Sequence, residues 1–201
     1  MAATPRRWRS SKMSLVPTAS QTVGPYLHLG LTVITRPDIA KDASRGERIV
    51  ISGRVLDGEG EPVPDALLEF WQANADGKYA HPDDAQDKPL DGAFIGFGRV
   101  PTDKEGRFSF VTIKPGAVPG PGNSLQAPHI VVCLFMRGML RHLYTRIYFS
   151  DEAGNADDPV LGLINDAERR PTLVAQRQNG KAEYRWDIHM QGPNETVFFD
   201  C

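Results

Sequence analysis

Cysteine is nearly absent: the 201 residues hold two, Cys133 and Cys201. Two isolated thiols build neither a disulfide framework nor a zinc site, and they suit a reducing, cytoplasmic setting. Cys133, inside the apolar run IVVCLFM, reads as a small buried hydrophobe. An excess of one charge is lacking too. The 23 basic and 25 acidic residues give a formal net charge of −2, so no electrostatic argument favours nucleic acid or an anionic membrane as partner. No apolar run approaches the ~18 residues needed to cross a bilayer. No phosphate loop, dinucleotide glycine fingerprint or Gly-x-Ser-x-Gly elbow occurs.

Turn chemistry is plentiful. With 19 glycines, 16 prolines and 40% hydrophobic residues, the composition suits one turn-rich β domain with a packed core. Residues 1–12 carry Arg6, Arg7, Arg9 and Lys12 without an acid, but no apolar segment follows as an export signal requires. They read as a disordered extension, or as an over-long start ahead of Met13. Residues 13–46 form an irregular N-terminal arm broken by Pro17, Gly24-Pro25 and Arg36-Pro37, and residues 47–201 form the main domain.

Alternation predicts strands at 47–56, 66–71, 129–136, 142–149, 183–190 and 196–199, with 99–113 as a further hairpin around the turn at 103–106. Two short helices are expected within 157–177, limited by Pro171. The fold class is therefore all-β, a β-sandwich.

Metal ligands on a strand need spacing i and i+2, because only those positions share a face. His129 has Val131 at that position, and His142 has Tyr144. Each of the five histidines, His28, His81, His129, His142 and His189, taken alone reads as a core or surface residue. The acid pairs Asp83-Asp84 and Asp157-Asp158 read as solvated turns. Residues 20–26 (SQTVGPY) are different: a stiff Gly-Pro-Tyr in an arm has no duty in a sheet, and it suits presentation of backbone groups and a phenol to a ligand or partner.

The ordered series SQTVGPY, GRVLDGEGEPVPDALLEFWQANADGKY, TDKEGRFSFVTIKPG, APHI, LYTRIYF and YRWDIHMQGPNETVFFD resembles the intradiol ring-cleaving dioxygenases over nearly all of residues 13–201. The resemblance implies a β-sandwich of the intradiol type and a ferric ion held by two tyrosines and two histidines. Those positions fall at Gln86, Val118, His129 and Val131 here, so three of four ligands are missing and this chain offers no metal site of its own. The resemblance thus points to the alpha-type, iron-free chain of an obligate hetero-oligomer. Its beta-chain partner would bind the Fe(III), and the pair would use O2 to cleave 3,4-dihydroxybenzoate to 3-carboxy-cis,cis-muconate. This chain would shape the substrate pocket through Thr22, Gly24, Pro25, Tyr26 and Arg137, with Arg141 and Arg146 as rivals for the substrate carboxylate. Two other readings stay open at this point. One is a self-sufficient enzyme with ligands Tyr79, His81, His129 and Tyr144; the other is a non-enzymatic β-sandwich scaffold.

Overall fold

The computed structural model describes residues 19–178 and 180–200. The extension 1–12 with its Arg6-Arg7 pair, residues 13–18 of the arm, and Cys201 lie outside the described residues. Strands form where apolar side chains alternate. β1 (Arg48–Leu56) buries Ile49, Ile51 and Val55 on one face. It stops at Asp57, whose Oδ1 accepts from the amides of Glu59 and Glu61, both at 2.9 Å. β2 (Leu67–Trp71), β3 (Phe97–Pro101) and β4 (Arg107–Ile113) follow.

The hairpin expected over 99–113 is not one. β3 pairs with β2, while β4 pairs with β1, so the turn at 103–106 carries the chain from one layer to the other. Asp103 shapes that turn by accepting from the amides of Glu105 and Arg107 at 2.9 and 2.8 Å, and such local bonding is indifferent to which strands flank it.

β5 (Val118–Pro119) and β6 (Leu125–Gln126) form a small ribbon. β7 (Ile130–Phe135) and β8 (Leu143–Phe149) make the expected hairpin, and β9 (Val174–Arg177), β10 (Glu183–Arg185) and β11 (Ile188–His189) complete the set. One layer runs β3-β2-β7-β8, all antiparallel; the other holds β4 and β1, with β10 and β11 parallel to β1. β9 links them, parallel to β8 and antiparallel to β10, so the sandwich is one nine-stranded sheet curled on itself. Between the layers Phe70 stacks on Phe110 at 3.8 Å, and Phe149 meets Tyr184 edge-on at 5.0 Å. Close approach also fixes Gly53, where a Cβ would sit 1.7 Å from the carbonyl oxygen of Trp186.

Other expectations need correction. The arm is not wholly irregular, because α1 (Pro25–Leu31) and a 3-10 turn (Thr32–Ile34) form within it. Pro25 presets the first helical φ, and Leu27 and Leu31, four apart, line a small cleft with Ala66, Leu67 and Pro101. Within 157–177 the helical segments are α2 (Pro159–Gly162) and a 3-10 turn (Arg170–Leu173), and the remainder becomes β9. Cys133 is half-buried on the outer face of β7 rather than in the core, because Ile130, Val132 and Leu134 take the inward positions.

The inter-layer aromatic stack should dominate stability. Phe70→Ala is expected to cost roughly 3–5 kcal/mol, while Lys104→Ala on the exposed turn stays within about 0.5 kcal/mol. Urea unfolding of the two variants checks the difference.

Candidate functional site

The register of three strands builds the site. Trp71 of β2 lies opposite Val131 of β7, and Val131 lies opposite Arg146 of β8. These three side chains sit side by side on the outer face, because Phe70, Val132 and Ile147 are drawn into the core. Residue 129 shares a face with 131, which turns His129 outward as well. The loop after β2 folds over this patch with Tyr79, His81 and Gln86, and the small ribbon closes the far side with Val118, Pro119 and Gln126. The result is a cavity of about 690 Å³. Gln86, Val118, His129 and Val131, which are far apart in sequence, all line it.

Burial governs the loop's electrostatics. Lys78 and Asp84, with side chains 9% and 8% exposed, pair at 3.2 Å, and the Asp84 carboxylate also accepts from the amides of Tyr79 and Gln86. Burial alone would raise the Asp84 pKa, but those donors outweigh it and hold the carboxyl down at about 2. The expectation that Asp83-Asp84 is a solvated turn therefore fails at Asp84. The Gln86 amide is committed to the loop, donating to Gly77 O at 3.0 Å and to Asp84 Oδ2 at 3.1 Å. Tyr79 stacks on Trp71 with ring centroids 6.0 Å apart and planes 10° apart, and burial raises its phenol above the ordinary value against the pull of Arg146.

His129 is buried, with Nδ1 2.8 Å from the carbonyl oxygen of Ala127. A carbonyl only accepts, so Nδ1 carries the hydrogen in the neutral ring. Burial first, then the nearby Arg146 charge, push this imidazole down to about 4. Arg146 donates through Nη1 to Gln126 Oε1 at 2.7 Å and to the Tyr148 hydroxyl at 3.3 Å. Among the described residues no carboxylate forms an ion pair with it. The Tyr148 hydroxyl in turn donates to Asp158 at 3.1 Å. Asp158, expected in a solvated turn, is buried instead: it caps α2 through the amides of Val160 and Leu161 and accepts from Ala127 N at 2.8 Å.

The arm residues lie elsewhere. Thr22 Oγ1 accepts from Gly138 N at 3.0 Å, which ties the arm to the β7–β8 turn beside Arg137. The Arg137 guanidinium, 75% exposed, pairs with Asp65. Gly24 and Pro25 open α1, and Tyr26 stands 83% exposed. None of these five lines the cavity. The three arginines separate: Arg137 on the turn, Arg141 beside a small depression with Val23 and Phe135, and Arg146 in the cavity. The alternative ligand set also comes apart. Tyr79, His81 and His129 share the cavity, but Tyr144 lines an adjacent groove of about 360 Å³ with Cys133 and Phe135. Trp71 and Val131 border both depressions.

Sequence reasoning passed over Trp71 and Gln126 and misplaced Asp158 in a solvated turn. The one available signal was the arginine inside the otherwise apolar strand LYTRIYF.

The imidazole offers a direct check. The His129 ring should titrate by NMR with a midpoint near 4, and Arg146→Gln should move it upward. Because the folded value lies below the unfolded ~6.5, the associated stability is complete above about pH 6.5 and is lost as pH falls towards 4.

The sequence profile of the family described as Dioxygenase matches residues 25–192. The protocatechuate 3,4-dioxygenase alpha chain of Pseudomonas putida is 46% identical over 197 residues, covering 91% of this chain and 96% of that one. The protocatechuate 3,4-dioxygenase beta chain of Burkholderia cepacia is 38% identical over 184 residues, covering 88% of this chain and 77% of that one. Among solved structures, the dioxygenase domain of a dioxygenase–carbohydrate-binding fusion from Streptomyces sp. SirexAA-E superposes with a TM-score of 0.60 at 25% identity, covering 81% of this chain and 89% of that one. The curled sheet, the cavity on its outer face and these likenesses converge: the chain belongs to the intradiol ring-cleaving dioxygenase family.

Proposed function

We propose that this chain is the alpha subunit of a protocatechuate 3,4-dioxygenase, an obligate hetero-oligomer in which a beta chain carries the ferric iron. The reaction inserts both atoms of O2 into 3,4-dihydroxybenzoate and opens the ring between its hydroxyls, giving 3-carboxy-cis,cis-muconate. The likeness to an alpha chain along almost its whole length supports the assignment, and it exceeds the likeness to a beta chain.

The carrying observation is the donor set of the cavity. The family works with ferric iron, a hard cation that needs several anionic donors. This cavity presents His129 together with an amide already committed to its loop at Gln86 and two valines, Val118 and Val131. Tyr79, whose ring is stacked on Trp71, adds a single phenol, and with His129 the set still falls short of the several anionic donors that ferric iron needs. Arg146 places a positive charge beside His129, where a cation would sit. The residues present do not fit ferric iron, and no step of the reaction is drawn through this cavity.

The chain's contribution then lies on its surface. Residues 13–46 act as an arm that reaches a pocket shared with the beta chain, with Thr22, Gly24, Pro25 and Tyr26 forming its wall. The Thr22–Gly138 hydrogen bond sets the arm against the turn that bears Arg137, and Asp65 steers that guanidinium. Arg137 answers the ring carboxylate of the substrate. No helix among the described residues is long and apolar enough to cross a membrane, and the enzyme is assigned to the cytoplasm, in keeping with its two isolated thiols.

Expression with and without an iron-bearing beta chain tests this reading. The chain alone should purify without stoichiometric iron and consume no O2 with 3,4-dihydroxybenzoate, and the pair should carry iron and consume O2; turnover by the chain alone sinks the proposal. In the pair, Arg137→Ala should raise KM for 3,4-dihydroxybenzoate about tenfold, the loss of one charge-assisted hydrogen bond, while Arg141→Ala leaves it unchanged. Equal KM values for the two variants would remove Arg137 from the substrate.

A further inference from the structure

A cavity that does not suit a cation is not thereby empty of purpose. Its floor holds a half-buried guanidinium, that of Arg146, which forms no ion pair with an acid among the described residues. Three carboxylates lie nearby, and none pairs with it: Asp83, also on the lining, is 91% exposed and lies 3.7 Å from His81, and the other two are committed elsewhere. Asp158 takes Ala127 N, Val160 N, Leu161 N and the Tyr148 hydroxyl, and Asp84 takes Lys78, Tyr79 N and Gln86. Both Arg146 hydrogen bonds described above run from Nη1 to neutral acceptors. A guanidinium has five N–H donors; one face of this one lies over the Phe199 ring at 5.9 Å, and the donors on Nε and Nη2 remain for an anion. Leaving such a charge partly desolvated and unneutralised is costly, and an anionic ligand relieves that cost.

The walls define the rest of the ligand. Trp71 and Tyr79 form a parallel aromatic slab, and Val118, Pro119 and Val131 are apolar. Nδ1 of His129 donates to the Ala127 carbonyl, which leaves Nε2 of the neutral ring as the acceptor for a ligand hydroxyl. One guanidinium beside aromatic and apolar walls, with the carboxylates of Asp83 and Asp84 also on the lining, matches a monoanion carried on a flat ring, not a phosphate or a polyanion. The volume of about 690 Å³ admits such a molecule.

We propose that this cavity is a second, non-catalytic site that binds an aromatic carboxylate, with Arg146 holding the carboxylate and the Trp71–Tyr79 slab facing the ring. The ligand is either a ring-cleavage substrate of the enzyme or an unrelated benzoate; both share this chemistry. The site does not depend on how the ring is cleaved or on which chain holds the metal.

The test uses the full chain purified with its partner and 4-fluorobenzoate as probe, observed by fluorine NMR. The expected result is one bound resonance per copy of this chain. It should be lost, or weakened at least tenfold in affinity, in Arg146→Gln, and abolished in Val131→Trp, which fills the cavity. Any resonance from a partner site stays in place in both variants, which also reports that the assembly is intact. Neutral 4-fluoroanisole should give no equivalent signal, and acetate should not displace the probe. Displacement by 3,4-dihydroxybenzoate at lower concentration than by benzoate assigns the site to substrate; the reverse order assigns it to other benzoates. Absence of the resonance, its persistence in Arg146→Gln, equal binding of the neutral probe, or displacement by acetate overturns the proposal.

Discussion

The alternation of β7 is the constraint on which the site depends. Ile130, Val132 and Leu134 are fully buried between the layers, and no slip of one residue is possible without turning all three towards solvent. Once that register is set, Val131 and Cys133 face outward and His129 joins them. Pairing with β2 and β8 then delivers Trp71 and Arg146 to either side of Val131. The site chemistry is thus a by-product of core packing, which needs no information from the site itself.

Charge gives the cavity its character. The cavity sets a neutral imidazole, a protonated phenol and a guanidinium without an ion-pair partner among the described residues against the ionised Asp84, which is spent within its own loop. The arm residues Thr22, Gly24, Pro25 and Tyr26 lie away from this cavity, exposed and anchored by one hydrogen bond from Gly138 and one helix start.

Much of the fold was legible because most strands obey period two. β1, β2 and the β7–β8 hairpin fall where alternation places them. The failures share a cause: local pattern does not encode partnership. The turn at 103–106 looks like a hairpin turn because Asp103 closes it locally, yet its flanking strands belong to different layers. Asp158 and Asp84 look like surface acids because their donors come from residues brought close only by folding or by loop closure. For the site, Gln86, Val118, His129 and Val131 were singled out by the resemblance, and the structure lines one cavity with them. The separation of Arg137, Arg141 and Arg146 into three environments was not readable, since ten residues of sequence cross both faces and a turn.

The Trp71 indole is a party wall. It bounds the cavity on one side and the groove beside Cys133 on the other, with Val131 as the sill between them. A tilt that gives room to one compartment takes it from the other. The two compartments therefore share a single allowance of space, and whatever settles first in one sets the shape that a second occupant meets next door.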